Sequence, residues 1–182
     1  MVVSTAEFDA QYAKGEWQRL NSISELGHYS IIAGYSSFCH ERPAILDVGC
    51  GQGLLQTRLA GRYAHYTGID SSSEAIAQAE CRKDERTRFL ISDATTYVPE
   101  RSFDQIVFNE ILYYMQDPSG LLARYARYLV PNGCLIVSMY EADRPRLIWA
   151  MLEENHACAD SVCVRHMPSG VQWTVKILRP SK

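Results

Sequence analysis

A chain of 182 residues, 47% apolar and 21% charged, is long enough to bury one sizeable core and short for more than one domain. Its net charge of -3, with no cluster of Lys or Arg, argues against a partner whose phosphate backbone must be neutralised, so nucleic acid is not expected. No stretch reads as a membrane span and Met1 to Glu7 has no basic leader, so we expect a cytoplasmic protein without a membrane partner. Six cysteines (Cys39, Cys50, Cys81, Cys134, Cys158, Cys163) are scattered without a C-x-x-C pair and read as buried or half-buried free thiols. No His/Cys/Asp cluster has metal-ligand spacing, and no metal is expected. There is no repeat or linker, so residues 1–182 read as one domain, with a helical part over 1–40 and a core over 44–182.

The first forty residues read as helices, from Ala6 to Lys14, then a break at Gly15, then from Ser22 to Cys39. The second spacing places Ile23, Leu26, Ile31, Ile32 and Tyr35 on one face, and Pro43 stops it. Ala44-Ile45-Leu46-Asp47-Val48 is a short apolar run, consistent with a buried strand. Gly49-Cys50-Gly51-Gln52-Gly53 then turns the chain, and Leu54 to Leu59 resumes helical spacing. Strand, glycine loop and helix together build nucleotide pockets in α/β sheets. Glycine lets the backbone approach a ligand closely, and the helix start offers unpaired N–H groups. A dinucleotide-binding G-x-G-x-x-G would need glycine at 54, where Leu54 stands. The pattern is instead D-x-G-x-G-x-G, with Asp47 placed to accept from loop amides or a ligand ammonium.

Tyr63 to Asp70 reads as the second strand and ends in an acid. Asp70 falls at the interval where a Rossmann-like second strand delivers a carboxylate to ribose hydroxyls, two acceptor oxygens for two donors. Ser71 with Glu74 reads as a capping box for a helix from Ser72 to Lys83. Thr87 to Ile91 is the third strand, followed by Ser92-Asp93-Ala94. Ser102 to Glu110 is the fourth, running into Ile111-Leu112-Tyr113-Tyr114. Ligands of open α/β sheets sit outside the carboxyl ends of the strands where strand order reverses, which brings Asn109, Glu110, Tyr113 and Tyr114 to the reacting atoms. Ser119 to Val130 reads as an amphipathic helix, Pro131-Asn132-Gly133 as a turn, and Cys134 to Tyr140 as a buried fifth strand. Pro145 to Asn155 reads as a helix, and Ser161 to His166 with Val171 to Leu178 as a closing hairpin.

Taken together, Asp47 to Gly53, the acid at Asp70, Ser92-Asp93-Ala94, and Asn109-Glu110-Ile111-Leu112-Tyr113-Tyr114 with Asp117-Pro118 resemble the class I S-adenosylmethionine (SAM)-dependent methyltransferases. The resemblance runs from Ala44 to the end. It implies a Rossmann-like, doubly wound α/β sheet of seven strands in the order 3-2-1-4-5-7-6, the last antiparallel, with the amino-terminal helices over the cofactor cleft. Tyr12, Trp17, His28 and Tyr29 thereby become candidates for a lid. The implied cofactor is SAM and the product S-adenosylhomocysteine (SAH). The implied contacts are Asp47, Gly49, Cys50, Gly51, Gly53, Asp70, Ser71, Asp93, Ala94 and Asn109. Within that set, Asp93 accepts from the adenine amine and the next backbone N–H reaches a ring nitrogen. Many small-molecule members carry E-V-L-E-H-x-x-D-P after the fourth strand. Here Tyr113-Tyr114 replace Glu-His, which removes the histidine often taken as a base. Locally the order is most similar to the nodulation-factor N-methyltransferases, which act on an amino sugar of a chitin-like oligosaccharide and carry a tyrosine pair at this place.

Methyl transfer is an in-line displacement at a sulfonium-bound carbon, so the protein must align the acceptor lone pair, exclude water and, where needed, take a proton. Glu110 is the best-placed titratable side chain for that task, Tyr113 and Tyr114 shape the wall, and His28 is the reserve base. The segment from Glu141 to Asp160 is too short for an inserted substrate domain, which leaves the acceptor side open. We therefore expect methyl transfer to a nitrogen or oxygen of a small-molecule or glycan-like acceptor, by a monomer or homodimer. Two other readings stand beside it. One is a SAM-binding regulator without catalysis; the other is a nicotinamide oxidoreductase, which would share the fold and Asp70 but fails at Leu54. A nucleic-acid methyltransferase would need an N/D-P-P-Y signature after the fourth strand, where Asn109-Glu110-Ile111-Leu112 stand.

Overall fold

The structure, a computed structural model, describes residues 4–59 and 61–180; Met1 to Val3, the start of the stretch read for a leader, lie outside them. One sheet holds β1 (Ala44–Val48), β2 (His65–Asp70), β3 (Thr87–Ile91), β4 (Phe103–Asn109), β5 (Leu129–Tyr140), β6 (His156–Arg165) and β7 (Gln172–Pro180). Its order is 3-2-1-4-5-7-6, with β7 antiparallel to both its neighbours and the pairs among β1 to β5 parallel. Strand residues alternate between faces. Ile45, Val107 and Ile136 pack on one side, while Leu46, Ile106, Phe108, Leu135 and Val137 pack on the other. Both faces must be covered, which is why these strands read as continuous apolar runs. The first face meets α2 (Leu26–Cys39) and α3 (Leu54–Leu59) through Tyr29, Ile32, Leu55 and Leu59. The second meets α5 (Pro118–Ala126) and α6 (Asp143–Glu153) through Leu121, Leu122, Tyr125, Ile148 and Leu152.

The longer amino-terminal helix is shorter than its spacing suggests. It begins at Leu26 rather than Ser22, and Ile23 and Leu26 are exposed, at 80% and 41%. Its buried stripe runs through His28, Tyr29, Ile32, Ala33, Tyr35 and Ser36, so two polar residues replace two apolar ones. Ser36 is buried because it is satisfied. Its hydroxyl donates to Gln105 Oε1 at 2.6 Å, and Gln105 Nε2 returns a bond to Ser36 O at 2.8 Å and approaches His40 Nδ1 at 3.2 Å. Gln105 sits fully buried on β4, so this exchange staples α2 to the middle of the sheet. We expect Gln105→Leu to cost roughly 1–3 kcal/mol, because it leaves the buried Ser36 hydroxyl without its acceptor. Thermal unfolding reads this as a Tm lowered by roughly 2–4 °C per kcal/mol.

Other boundaries differ as well: the helix read from Ser72 to Lys83 spans Ser73–Glu80, and that read from Pro145 to Asn155 spans Asp143–Glu153. Pro131-Asn132-Gly133 lies inside β5, where pairing jumps from Phe103↔Leu129 to Gln105↔Cys134, so the expected turn is an irregularity of the strand. The helix before it ends at Ala126 rather than Val130. The closing strands are longer than read, starting at His156 and ending at Pro180. Among the cysteines, Cys50 and Cys134 are buried and Cys39 is half-buried, but Cys81, Cys158 and Cys163 are exposed. No helix among the described residues is long and apolar enough to cross a membrane.

Candidate active site

The carboxyl ends of β1, β2 and β4 open into one cleft of about 1050 Å³, and its floor is the loop after β1. Gly49, Gly51 and Gly53 have φ of +74°, +53° and +77°, a region that side chains disfavour. Space enforces the same choice. A Cβ on Gly49 would stand 2.5 Å from Ile111 Cδ1, and one on Gly51 would stand 2.7 Å from the Tyr12 hydroxyl. Gly53 is not on the cleft: its Cβ position meets Phe89 and Ala79, so it packs the loop against β3 and α4 (Ser73–Glu80) instead of touching a ligand.

Backbone amides of the loop are already committed. Gly49 and Cys50 N–H both donate to Ile69 O, at 2.8 and 3.0 Å, and Gly51 N–H donates to Asp70 Oδ2 at 2.9 Å. The other Asp70 oxygen takes Ser72 N–H at 2.9 Å, so this one carboxylate ties the loop to the start of α4 and keeps lone pairs toward the cleft. Asp47 therefore accepts nothing from the loop. Its Oδ2 takes the Tyr66 hydroxyl, and its Oδ1 is buried without a partner. Burial pushes the Asp47 carboxyl up to about 7 and the Cys50 thiol well above its usual range.

A carboxyl that keeps its proton to about pH 7 when folded, but loses it near pH 4 when unfolded, favours the fold at low pH. That advantage fades as pH rises between the two. The Asp47→Asn variant stays neutral throughout. Its Tm should gain on wild type as pH is raised from about 4 to about 8 in parallel melts; a constant gap would mean Asp47 is ionised in the fold.

The helix α1 (Thr5–Ala13) closes the cleft from above. Ser72, not Ser71, caps α4, accepting Ala75 N–H at 3.1 Å, and Ser71 and Glu74 form no capping box. Asp9 of α1 joins that cap across the fold: its Oδ1 accepts the Ser72 hydroxyl at 2.6 Å and Glu74 N–H at 3.3 Å. Tyr12 stacks on Trp17 at 5.5 Å, Phe8 meets Tyr114 edge-on at 5.3 Å, and Gln52 Nε2 donates to Trp17 O at 3.0 Å. Tyr12 and Trp17 thus lie where a lid was expected. His28 and Tyr29 border the same cleft from inside the core.

Ser71 and the pair Asp93 and Ala94 also line the cleft. Asp93 Oδ1 takes Thr95 N–H at 2.6 Å and its hydroxyl at 2.5 Å, while Ala94 O accepts the Tyr125 hydroxyl at 2.9 Å and the Arg124 guanidinium. These bonds hold the turn after β3 against α5.

At the far end β4 delivers Asn109, whose Oδ1 is buried without a partner, and Glu110, whose φ is +60°. Glu110 accepts from the Ser138 hydroxyl (3.0 Å), Tyr140 N–H (3.1 Å) and the Tyr113 hydroxyl (3.2 Å). Burial outweighs these bonds and pushes its carboxyl up to about 7. Tyr113 packs on Tyr114 at 4.6 Å and edge-on to Tyr140 at 5.0 Å. His28 is fully buried, and burial pushes its imidazole down to about 3, so it is neutral at physiological pH. Gln52, Glu25, Tyr140, Trp173 and Arg124 belong to this cleft as well and were not singled out in the sequence. Tyr140 and Trp173 reach it through the register of β5 against β7, Glu25 through the fold of the amino-terminal segment, Arg124 from α5 and Gln52 from the glycine loop itself.

A sheet of this order, with its cleft above a left-handed glycine loop and an acid at the end of β2, is the architecture of class I methyltransferases. Over residues 46–137 the chain matches the model of the methyltransferase domain family, and it belongs to that family, whose methyl donor is SAM. It is 36% identical over 95 residues to an uncharacterized methyltransferase of Mycobacterium tuberculosis, covering 51% of this chain and 48% of the relative, so it spans about half the length of that protein. It is 28% identical over 190 residues to the ubiquinone biosynthesis O-methyltransferase of Alkalilimnicola ehrlichii, covering 97% of this chain and 72% of the relative. Among solved structures, its fold is similar to the N-methyltransferase NodS of Bradyrhizobium japonicum in complex with SAH. The TM-score is 0.77 at 19% identity, over 91% of this chain and 92% of that one. It is also similar to the 1,6-didemethyltoxoflavin-N1-methyltransferase of Burkholderia thailandensis, with a TM-score of 0.79 at 20% identity, over 98% and 87%.

The residues present fit that cofactor. SAM offers an ammonium, ribose hydroxyls and an adenine amine, all donors. The cleft is bordered by orphaned buried acceptors at Asp47 Oδ1, Gln52 Oε1 and Asn109 Oδ1, besides the free lone pairs of Asp70. Among the described residues no group of His, Cys, Asp and Glu is placed to hold a metal ion.

Proposed function

We propose that this chain transfers a methyl group from SAM to a nitrogen or oxygen of a small-molecule or saccharide-like acceptor. The observation that carries the reading is a juxtaposition in one cleft: unpartnered acceptors at the ends of β1 and β4, and the half-buried titratable Glu110 just beyond them. Asp70 would hold the ribose, Asp93 and the Ala94 N–H the adenine, and Asp47 with Asn109 the amino-acid end. Bound SAM supplies a methyl group already activated on a sulfonium. The protein's own work is to exclude water, to orient the acceptor and to move one proton. Phe8, Tyr12, Trp17 and Tyr114 form the aromatic cover that keeps water out. Glu110, near 7, is matched to accept a proton at neutral pH. His28, near 3, is too weak a base to keep one. Six free thiols, three of them exposed, support a reducing, cytoplasmic setting, with the chain acting as a monomer or homodimer.

Calorimetry with SAM and SAH, followed by label transfer from methyl-labelled SAM to amino sugars and hydroxylated metabolites, tests the reading. Binding with methyl transfer supports it. A chain that binds neither ligand would overturn it, and binding without transfer to any acceptor would favour a SAM-binding regulator.

A further inference from the structure

Two side chains at the start of α2 border the cleft, and neither cofactor binding nor proton removal uses them. Glu25 is 8% exposed, and its carboxylate takes no hydrogen bond among the described residues. Its nearest cation is Arg19 at 3.9 Å, whose side chain is 65% exposed. Burial raises the Glu25 carboxyl above its usual value. His28 is fully buried, and neither ring nitrogen has a hydrogen-bond partner. Its ring is held by stacking on Trp173 at 4.9 Å and packing on Tyr29 at 4.5 Å. From Glu25 Oε2 its Nδ1 stands 3.8 Å away, too far for a hydrogen bond. An imidazole fixed in place, neutral and unpartnered at a cleft is an acceptor waiting for an N–H or O–H from outside.

The surrounding charge decides which donor. Glu110 borders the same end, and its three donors are two hydroxyls and a backbone N–H, none of them a cation. Glu25 is close enough to repel it. Arg58 lies over the Tyr29 ring at 5.0 Å and is felt by His28, but among the described residues it is ion-paired to neither carboxylate. Two desolvated carboxylates whose one ion pair is to the exposed Arg19 are unfavourable until a cation enters; a neutral hydroxyl offsets little of that, and an anion adds to it. Tyr113, Tyr140 and Trp173 border this space, and aromatic faces favour a cation over a neutral group.

We propose that Glu25 and His28, with Glu110 and the aromatic wall of Tyr113, Tyr140 and Trp173, form a recognition subsite for a basic amine on the acceptor. The inference rests on the methyltransferase reading and narrows its substrate class. Glu25 draws the positive charge and His28 accepts one N–H, which orients the nitrogen. Carboxylate-bearing acceptors are rejected.

The test uses the SAH-loaded chain and three probes with the same ring and one differing group: 4-hydroxybenzylamine, 4-hydroxybenzyl alcohol and 4-hydroxybenzoate. Affinities are measured by calorimetry and ligand-observed NMR. The amine should bind at least about tenfold more tightly than the alcohol, and the benzoate should not bind. Glu25→Gln should weaken the amine by roughly tenfold or more, and His28→Phe by severalfold, with SAH affinity unchanged. Equal affinity for the three probes, preference for the benzoate, or no binding of any probe to the SAH-loaded chain would overturn the subsite. So would an amine affinity unmoved in Glu25→Gln. The wild-type preference among probes needs no variant to fold. A wild-type chain that fails to bind SAH counts against the methyltransferase reading instead, so the two failures are separate.

Discussion

Replacing Asp70 by alanine should lower affinity for SAH by roughly 10²- to 10⁴-fold, the loss of two hydrogen bonds to a charged acceptor at about 1.5–3 kcal/mol each. The position carries more than ligand contacts. Both oxygens already accept backbone N–H groups, from Gly51 and Ser72, so alanine also unpins the glycine loop from the start of α4. Asparagine does not rescue it. Its amide can replace one oxygen only, and its NH₂ would face the N–H of Gly51 or of Ser72, donor against donor. Calorimetry with SAH on wild type, Asp70→Ala and Asp70→Asn checks this, with thermal unfolding reporting how much loop anchoring is lost. An Asp70→Ala protein that binds SAH within about threefold of wild type would show that the ribose is held elsewhere.

Glu110→Gln should lower kcat by roughly 10²- to 10⁴-fold, the usual contribution of one proton acceptor. Glutamine fits the site. Its oxygen can take Tyr140 N–H and the Tyr113 hydroxyl where Oε2 sits, and its NH₂ can donate to Ser138 Oγ, since that hydroxyl rotates. Charge is lost while geometry is kept. The pH profile adds a second readout. A base held up to about 7 is protonated below that value, so wild-type turnover should rise with pH through about 7 and then level off. In Glu110→Gln that limb should vanish while SAH affinity stays unchanged. If turnover survives, the acceptor gives up its proton without help from this carboxyl, and Glu110 is an anchor for Ser138, Tyr140 and Tyr113.

The two replacements act at opposite ends of one cleft and separate its tasks. Asp70 should change affinity for the donor, and Glu110 should change the rate and its pH dependence. Gln105→Leu lies away from the cleft, bears on stability alone and serves as a baseline for both.

The interior strands and the glycine loop were legible in the residues themselves, whereas the order of the strands was implied by the family resemblance. Ile45, Leu46 and Val48, or Ile106 and Val107, read as buried because an interior parallel strand must be apolar on both faces. Glycines 49 and 51, and the acid at Asp70, are local requirements of a tight turn at a strand end, and local requirements leave a mark at fixed spacing. What lay across the fold left no such mark. Apolar periodicity put Ile23 and Leu26 on the buried face and passed over His28 and Ser36, because a buried polar residue is explained only by its partner, and Gln105 is far away in the chain. Gly53 resembled its neighbours in the motif, yet its surroundings are Phe89 and Ala79. Asp47 was expected to accept from loop amides or a ligand ammonium; the loop amides have nearer acceptors on β2, and Tyr66 takes one carboxylate oxygen. Glu25, Tyr140 and Trp173 come from three elements, and no spacing along the chain predicts that they share a cleft with Glu110. Their protonation and pairing depend on burial, which is a property of the packed fold.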